Sequence, residues 1–516
     1  MKFLFKIFLL FFLLLISVQI QAKTYQVKNI QLDGFRDEPA HHIFVKDIKK
    51  QLSKGLGKYK YRLSWNQMQY FSEYLTTWYK NAGLLFHKVI VPPQEIKNFQ
   101  LTLKLVPGVL GDVSVRGNKD YSIQQIQSSF NPLLKKSVEK EKIEEALLIL
   151  NDSPGLDVFS FFSRGKEKNE TRINLKVQQE DALEGHIKFD NYGTETTGEN
   201  RALIQMSLNN PTGRADQLSI GLLASDESVY SSLSYRMPLW NLFHSFGLSF
   251  SENDFDLAGD FTALGVNGST RVSRMDVSHI LFRGFKSNQT LSWYVDQKES
   301  ILDDSTGFNL LQKDESSQGL GINVLSSSKP GTSHYQFYMN LYSGKYDQGF
   351  DALDGESFSH VNVVMNAQWS LFSSQSYMNS RLGLLLFTQF SEDDLPSYEK
   401  FSLTGVDGIR SVDPGVSSSD SGSLVRLSWN WVNAEWLGSN AFSRKTQLGL
   451  FYEMAEGESN VSNIENSASG YGMTLDFSIT KNMNGRLLYA KSLDIDIDAF
   501  TEEESSHAYA ELVYRF

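Results

Sequence analysis

The hydrophobic and polar positions divide this chain into a mixed regime and, from Leu183 onward, one in which apolar residues recur with period two. Gln217, Ser219 and Gly221 alternate with Leu218, Ile220 and Leu222, and Ser232, Ser234 and Arg236 with Leu233, Tyr235 and Met237. Gln336, Tyr338 and Asn340 alternate with Phe337, Met339 and Leu341, and Arg426, Ser428 and Asn430 with Val425, Leu427 and Trp429. One face is apolar and aromatic and the other polar, which predicts strands buried on one side. The chain ends on the same pattern, His507 to Phe516, with Leu512, Tyr514 and Phe516 on the apolar face as a candidate assembly signal.

A soluble sandwich alternates in the same way, with its core on the apolar face. Connection lengths separate the two readings. Short turns at 209–216, 238–243, 283–289, 326–333, 373–376, 437–444 and 481–485 interleave with mostly longer polar connections at 192–200, 252–265, 298–314, 344–356, 391–422, 456–467 and 493–506. That rhythm is that of an up-and-down membrane barrel. It predicts a membrane β-barrel of about 16 antiparallel strands over residues 181–516, roughly 20 residues for each strand and its connection. An even count leaves both ends of the barrel on one side. Only helices and closed barrels cross lipid with every backbone polar group paired, and beyond the N-terminus no segment reads as a spanning helix.

Residues 23–180 read as two small α+β units. Val27 to Gly34 resembles Leu110 to Gly117, 83 residues on, each an alternating strand that ends in glycine and leads into helical sequence. Ser64 and Gln67 form a capping box ahead of Met68, Phe71, Leu75, Trp78 and Ala82, a stripe that reads as core; Ser122 and Gln125 are the second cap. The expected order in each unit is β-α-α-β-β, with boundaries at 23–107 and 108–180.

The N-terminus carries Lys2 and Lys6, an apolar run from Ile7 to Val18 and a small residue at Ala22, so residues 1–22 read as a cleavable signal peptide. Without Lys2 and Lys6, 47 basic residues face 60 acidic ones, a net charge of −13 that argues against a nucleic-acid binder. The chain has no cysteine, which excludes a thiolate nucleophile or thiolate metal site. No metal, cofactor or catalytic group is expected. His186 and Asp190 share an inward face, but Lys188 lies between them and no nucleophile is in register. Gly319-Leu320-Gly321 is a glycine pair inside a strand, not a phosphate loop.

Two such units ahead of such a barrel resemble the outer-membrane transporters of two-partner secretion, the haemolysin-activator and haemagglutinin-exporter (TpsB) family, whose small units are polypeptide-transport-associated (POTRA) domains. Tyr79 to Gln94 resembles that family's Tyr-x-x-x-Gly segment and Pro-x-Gln turn. Asp190, Asn191 and Gly193, with Gly198, resemble its first barrel hairpin, and Asn209 to Asp216 its next turn. The long connection, within 391–423, carries Gly405-Val-Asp407-Gly408-Ile409-Arg410-Ser411-Val412, which resembles the superfamily's Val-Arg-Gly-aromatic loop tip. Ile409, Ser411 and Val412 replace three of its four residues. Phe451-Tyr-Glu453-Met-Ala455 resembles the wall pattern Phe-x-Asp-x-Gly, and alternation along its strand puts Glu453 on the inward face.

The resemblance implies an outer-membrane protein with its small units in the periplasm, exporting one unfolded partner protein through its pore. It implies that Arg410 of an external loop reaches the lumen and pairs with Glu453. Val158, Phe159, Phe161 and Phe162 are candidate partner-binding residues on a sheet edge. Lipid, lipopolysaccharide and the barrel-assembly machinery are the other partners implied, and no nucleic acid is. An assembly factor for other outer-membrane proteins is the alternative. No plug helix is expected, because strand-like Tyr25 to Leu32 follows the cleavage site directly.

Overall fold

A computed structural model describes residues 23–259, 262, 265–304, 313–328, 333–348, 356–371, 380–432, 445–498, 500 and 504–516. The signal peptide expected at 1–22 and the turns expected at 373–376 and 437–444 lie outside these residues. So do parts of the connections expected at 252–265, 298–314, 326–333, 344–356 and 493–506. Backbone contacts divide the chain into two units. One holds the residues up to Ser114 with Phe130–Glu144 and Ser160–Leu175; the other holds Val115–Ser129, Glu145–Phe159 and Lys176–Phe516.

The first small module begins with strands β1 (Thr24–Gln26) and β2 (Asn29–Asp33), followed by helix α1 (Val45–Lys58), β3 (Arg62–Ser64), α2 (Trp65–Asn81), β4 (Lys88–Ile90) and β5 (Gln100–Val106). Its sheet runs β2-β5-β4, and β1 pairs separately with β3. Ser64 and Gln67 make the reciprocal capping box that starts α2. Met68, Phe71, Leu75 and Tyr79 are its buried stripe. Tyr79 rather than Trp78 takes the innermost place, because a four-residue step from Leu75 stays closer to the buried meridian than a three-residue one; Trp78 and Ala82 are partly buried at its margin.

The second module holds β6 (Val109–Arg116), α3 (Ile123–Ser128, capped by Ser122 and Gln125), α4 (Lys140–Asn151), β7 (Leu156–Arg164) and β8 (Glu170–Glu180). Its sheet order, β6-β8-β7, leaves β7 on an edge.

The rest is one closed antiparallel barrel of sixteen strands. They are β9 (Leu183–Asp190), β10 (Arg201–Asn209), β11 (Gln217–Ala224), β12 (Ser228–Pro238), β13 (His244–Asp256), β14 (Asn267–Arg283), β15 (Ser287–Asp303), β16 (Lys313–Ser328), β17 (Ser333–Gln348), β18 (Ser357–Ser370), β19 (Ser380–Phe390), β22 (Ser421–Val432), β23 (Thr446–Ser459), β24 (Ile464–Ser478), β25 (Met483–Asp496) and β26 (Ser506–Arg515). The connection from β19 to β22 contains a further short antiparallel pair, β20 (Phe401–Ser402) with β21 (Ser418–Ser419). β26 closes on β9 through the pairs Glu511↔Asp190 to Arg515↔His186.

Several stretches expected as connections are strand. β13 runs on to Asp256, β15 to Asp303 and β17 to Gln348, while β23 and β24 reach Ser459 and Ile464, which reduces the connection expected at 456–467 to a short turn. The link 225–227 is also short, although it lies on the side of the long connections. The physical reason is the end of the lipid. β14 and β15 have 17 residues each, whereas about 9–11 tilted residues cross the hydrocarbon. Past that band both faces meet water, so alternation disappears while the backbone ladder continues. The outward face of β13 shows the change, passing from Leu248 and Phe250 to Glu252, which pairs with Arg271 at 2.6 Å.

The glycine pair in β16 has a packing role. A Cβ on Gly319 would lie 2.0 Å from the Tyr342 hydroxyl, and one on Gly321 2.0 Å from the Tyr294 ring. The two glycines form a trough for the stacked rings of Tyr294 and Tyr342 on the inner wall. Gly321→Val is expected to displace Tyr294 and cost about 1–3 kcal/mol as an overpacked site. The temperature at which the barrel loses its compact gel mobility would report this; an unchanged temperature would show that the trough is not needed.

Candidate functional site

The connection from β19 to β22, residues 391–420, turns back into the barrel and lies against its inner wall. Phe401, Leu403, Ile409 and Val412 are buried and pack with Leu424 of β22, Ala455 of β23 and Ala468 of β24. An apolar sequence of this kind exposed to water would forgo the burial of four large side chains, roughly 1.5–3 kcal/mol apiece.

Two turns shape the tip. Gly405 holds φ at +94°, a left-handed conformation that a side chain disfavours, with Pro414 against the place a Cβ would occupy. Gly408 donates its N–H to the Gly405 carbonyl at 3.1 Å, and a Cβ on Gly408 would lie 2.3 Å from the Leu403 carbonyl oxygen. Asp407 is exposed at the apex of this turn. The turn delivers the next residues, Ile409 and Arg410, to the wall.

Glu453 is fully buried and receives three donors. The Arg410 backbone N–H reaches one carboxylate oxygen at 2.7 Å, and Arg410 Nε reaches the other at 2.9 Å. Arg426, directly across the ladder on β22, donates its Nε to that same oxygen at 2.7 Å and its Nη2 to the Gly408 carbonyl at 2.8 Å. The Arg410 guanidinium also lies 3.7 Å from the centre of the Phe451 ring. One anion thus holds two cations, and the ring face takes part of the remaining positive charge. Arg426 ties the carboxylate and the loop backbone together at once. Alternation put it on the polar face, but strand register, which the sequence does not display, sets it opposite Glu453.

The loop has a second anchor that the sequence reading missed. Glu399 pairs with Lys298 of β15 and lies 3.4 Å from His360 Nε2 of β18. Two residues earlier, the Ser397 hydroxyl donates to Glu315 of β16 at 2.6 Å, and Glu315 also accepts from Tyr346 of β17. Lys400 pairs with the fully buried Asp420, closing the base of the loop. The wall residues Lys298, Glu315, Tyr346 and His360 come from four different strands, so no local motif joins them to the loop.

Asp190 pairs with Lys188 and Arg201, both at 2.8 Å. The Asn191 side chain donates to the Ala508 carbonyl and accepts from Ala510 N–H, extending the closing ladder beyond the end of β9. Gly193 N–H bonds to the Glu199 carbonyl, and Gly198 holds φ at +91° where its chain passes the turn at Ser225 and Asp226. Asp190 and Asn191 thus lie at the seam where β26 meets β9, and Gly193 and Gly198 shape the turn from β9 to β10. Leu512, Tyr514 and Phe516 face outward on the last strand; Tyr514 and Phe516 are exposed and stack, and the Phe516 N–H bonds to the Gly185 carbonyl.

Of the four candidate residues on β7, Val158 is 3% exposed and belongs to the core, a correction to its place among partner contacts. Alternation on an edge strand sends every second residue inward, and Asn151 fixes the Val158 backbone by accepting its N–H and donating to its carbonyl. Phe159, Phe161 and Phe162 are exposed, and Phe162 meets Phe86 edge-on at 4.7 Å. Among the described residues no group of three or more His, Asp or Glu is arranged to hold a metal ion.

A family model described as haemolysin secretion/activation protein ShlB/FhaC/HecB matches residues 169–470. The heme/hemopexin transporter protein HuxB of Haemophilus influenzae (strain 86-028NP) is 23% identical over 484 residues, covering 90% of this chain and 83% of its own. The outer membrane transporter CdiB of Dickeya dadantii (strain 3937) is 22% identical, over 77% of this chain and 72% of its own. The solved structure of CdiB from Escherichia coli superposes with a TM-score of 0.73 at 15% identity, over 97% of this chain and 92% of that one.

Removing one partner from a buried ion pair costs about 3–5 kcal/mol. Glu453→Gln is therefore expected to raise proteolytic cleavage within 391–420 by well over about tenfold, which corresponds to ~1.4 kcal/mol. Glu399→Gln should raise it less, because Glu453 still holds the tip. Equal resistance in both variants and the parent would mean that packing alone keeps the loop in place.

Proposed function

Because the chain belongs to the haemolysin secretion/activation ShlB/FhaC/HecB family, we propose a division of labour for an outer-membrane transporter that secretes an unfolded partner protein through its barrel. The protein lies in the outer membrane with its two small modules in the periplasm. The modules take up the arriving chain by adding its strand to an open sheet edge, so that backbone hydrogen bonds give affinity and side-chain pockets give choice. The β7 edge with Phe159, Phe161 and Phe162 is our candidate surface. Lipopolysaccharide surrounds the barrel, the barrel-assembly machinery inserts it by its last strand, and the protein itself carries out no bond chemistry.

The observation that carries the mechanism is the loop held in the lumen by Arg410 and Glu453. It occupies space that an exported polypeptide needs, so its displacement is the gating step. Arginine suits the site because its planar guanidinium pairs with the carboxylate and lies over the Phe451 ring together. Net movement comes from folding of the partner outside, since nothing in this scheme hydrolyses a nucleotide.

Arg410→Ala is expected to leave an inserted, heat-modifiable barrel and to lower the partner protein outside the cell by at least about tenfold, the scale set by losing one buried charged contact. Glu453→Gln should reproduce much of that defect. Export at the parental level from Arg410→Ala would remove the loop from the mechanism. A defect in Glu453→Gln alone would reject the pair as the unit that matters.

A further inference from the structure

The inner wall is covered unequally. Among the described residues, the hydrogen bonds and ion pairs that the loop makes with strands go to β15, β16, β18 and β19 and to β22–β24, β26 and the turn from β23 to β24. Several inward side chains in those sectors are buried: Asp296 is 6% exposed, Tyr342 4% and Ala490 0%. The inward positions of β11–β13 are at least partly exposed, apart from Gly221 and Gly247, which their neighbours cover.

That open sector has its own composition. Ser207 of β10, Ser219 of β11, Ser234 of β12 and Ser249 of β13 stand in one register row across four adjacent strands. The next row brings Gly221 opposite Ser232, and Ser232 opposite Ser251. The hydroxyls of Ser207 and Ser219 bond to each other at 2.8 Å. The charge at the lower end of the sector is neutralised, because Arg236 makes two 2.9 Å contacts with Asp276.

We infer that the exported polypeptide travels along this serine and glycine wall of β10–β13, in the crescent between the wall and the pore loop. The inference rests on the export reading above and adds the route. Conduction requires a surface that binds weakly enough to release what it carries. Short hydroxyls offer exchangeable hydrogen bonds to a passing backbone, and their small volume leaves width for side chains of any kind. Paired charges remove the strongest sites at which an acidic or basic segment would stall. The substrate class is an extended, unfolded polypeptide without a fixed side-chain motif, which passes before the loop has to leave entirely.

The absence of cysteine allows a direct test on the full-length protein in planar bilayers. Single variants Ser219→Cys, Ser234→Cys and Ala490→Cys would be treated with a trimethylammonium-ethyl methanethiosulfonate reagent while single-channel current is recorded. Ser219→Cys and Ser234→Cys are expected to react at least about tenfold faster than Ala490→Cys, and each adduct to lower the current, as a constriction in the water path must. Ala490→Cys should gain reactivity when Arg410→Ala is added. If Ala490→Cys reacts as fast as Ser234→Cys with the loop intact, or if the serine adducts leave the current unchanged, the route is wrong. This readout requires no partner protein, so its failure alongside an export defect in Arg410→Ala would reject the route and leave the exporter standing. Ser219→Trp combined with Ser234→Trp gives the second arm: a heat-modifiable barrel with lowered current supports the route, and parental current overturns it.

Discussion

Hydrocarbon offers no partner to a peptide N–H or C=O, so the ladder that starts at β9 has to end on β9. The pairing of β26 with β9 meets that requirement, with Asn191 supplying a side-chain rung where the backbone pairing stops. Closure then imposes parity on every strand: one face to lipid, the other to the lumen. The charged residues of the spanning region have only the lumen to occupy, and there they meet one another. Arg236–Asp276, Arg274–Asp296, Arg486–Asp476 and the Asp190 cluster all follow from that confinement.

Glu453 is the extreme case, an anion without solvent and with two guanidiniums around it. Such a group is costly unless each oxygen is satisfied, and the loop tip supplies what the wall alone lacks. A backbone N–H and a guanidinium come from the same residue, so the carboxylate selects one loop conformation. The contact specifies a geometry more than it adds stability. The apolar neighbours Ile409 and Val412 contribute the burial.

Much of this was legible in the chain. Alternation identified the barrel and its strand number, and the same parity placed Glu453 inward before any partner was assigned. Gly405 and Arg410 stood out because they resemble a known loop tip. What escaped has a common cause: periodicity reports which face a residue is on, not which residue stands across from it. Arg426 was assigned to the polar face but not to Glu453. Glu399, Lys298 and His360 are scattered over about a hundred residues and meet only through closure. Strand ends such as 252–256 and 298–303 were read as connections because alternation is a signature of lipid, and above the lipid it has no cause. Val158 was grouped with exposed neighbours because they form one aromatic run, although parity there sends it inward.

The separation of Glu399 from Arg410 changes how often the lumen can clear and refill. A segment that lets go at one end is still tethered at the other, about ten residues away, so its return is an encounter within a single molecule at an effective concentration of millimolar order. Brief partial excursions are then reversible on their own, without a second protein to restore the resting state. A guest that displaces both ends together clears the whole lumen, whereas a chain that slips past the loop leaves at least one tether in place to draw the segment back.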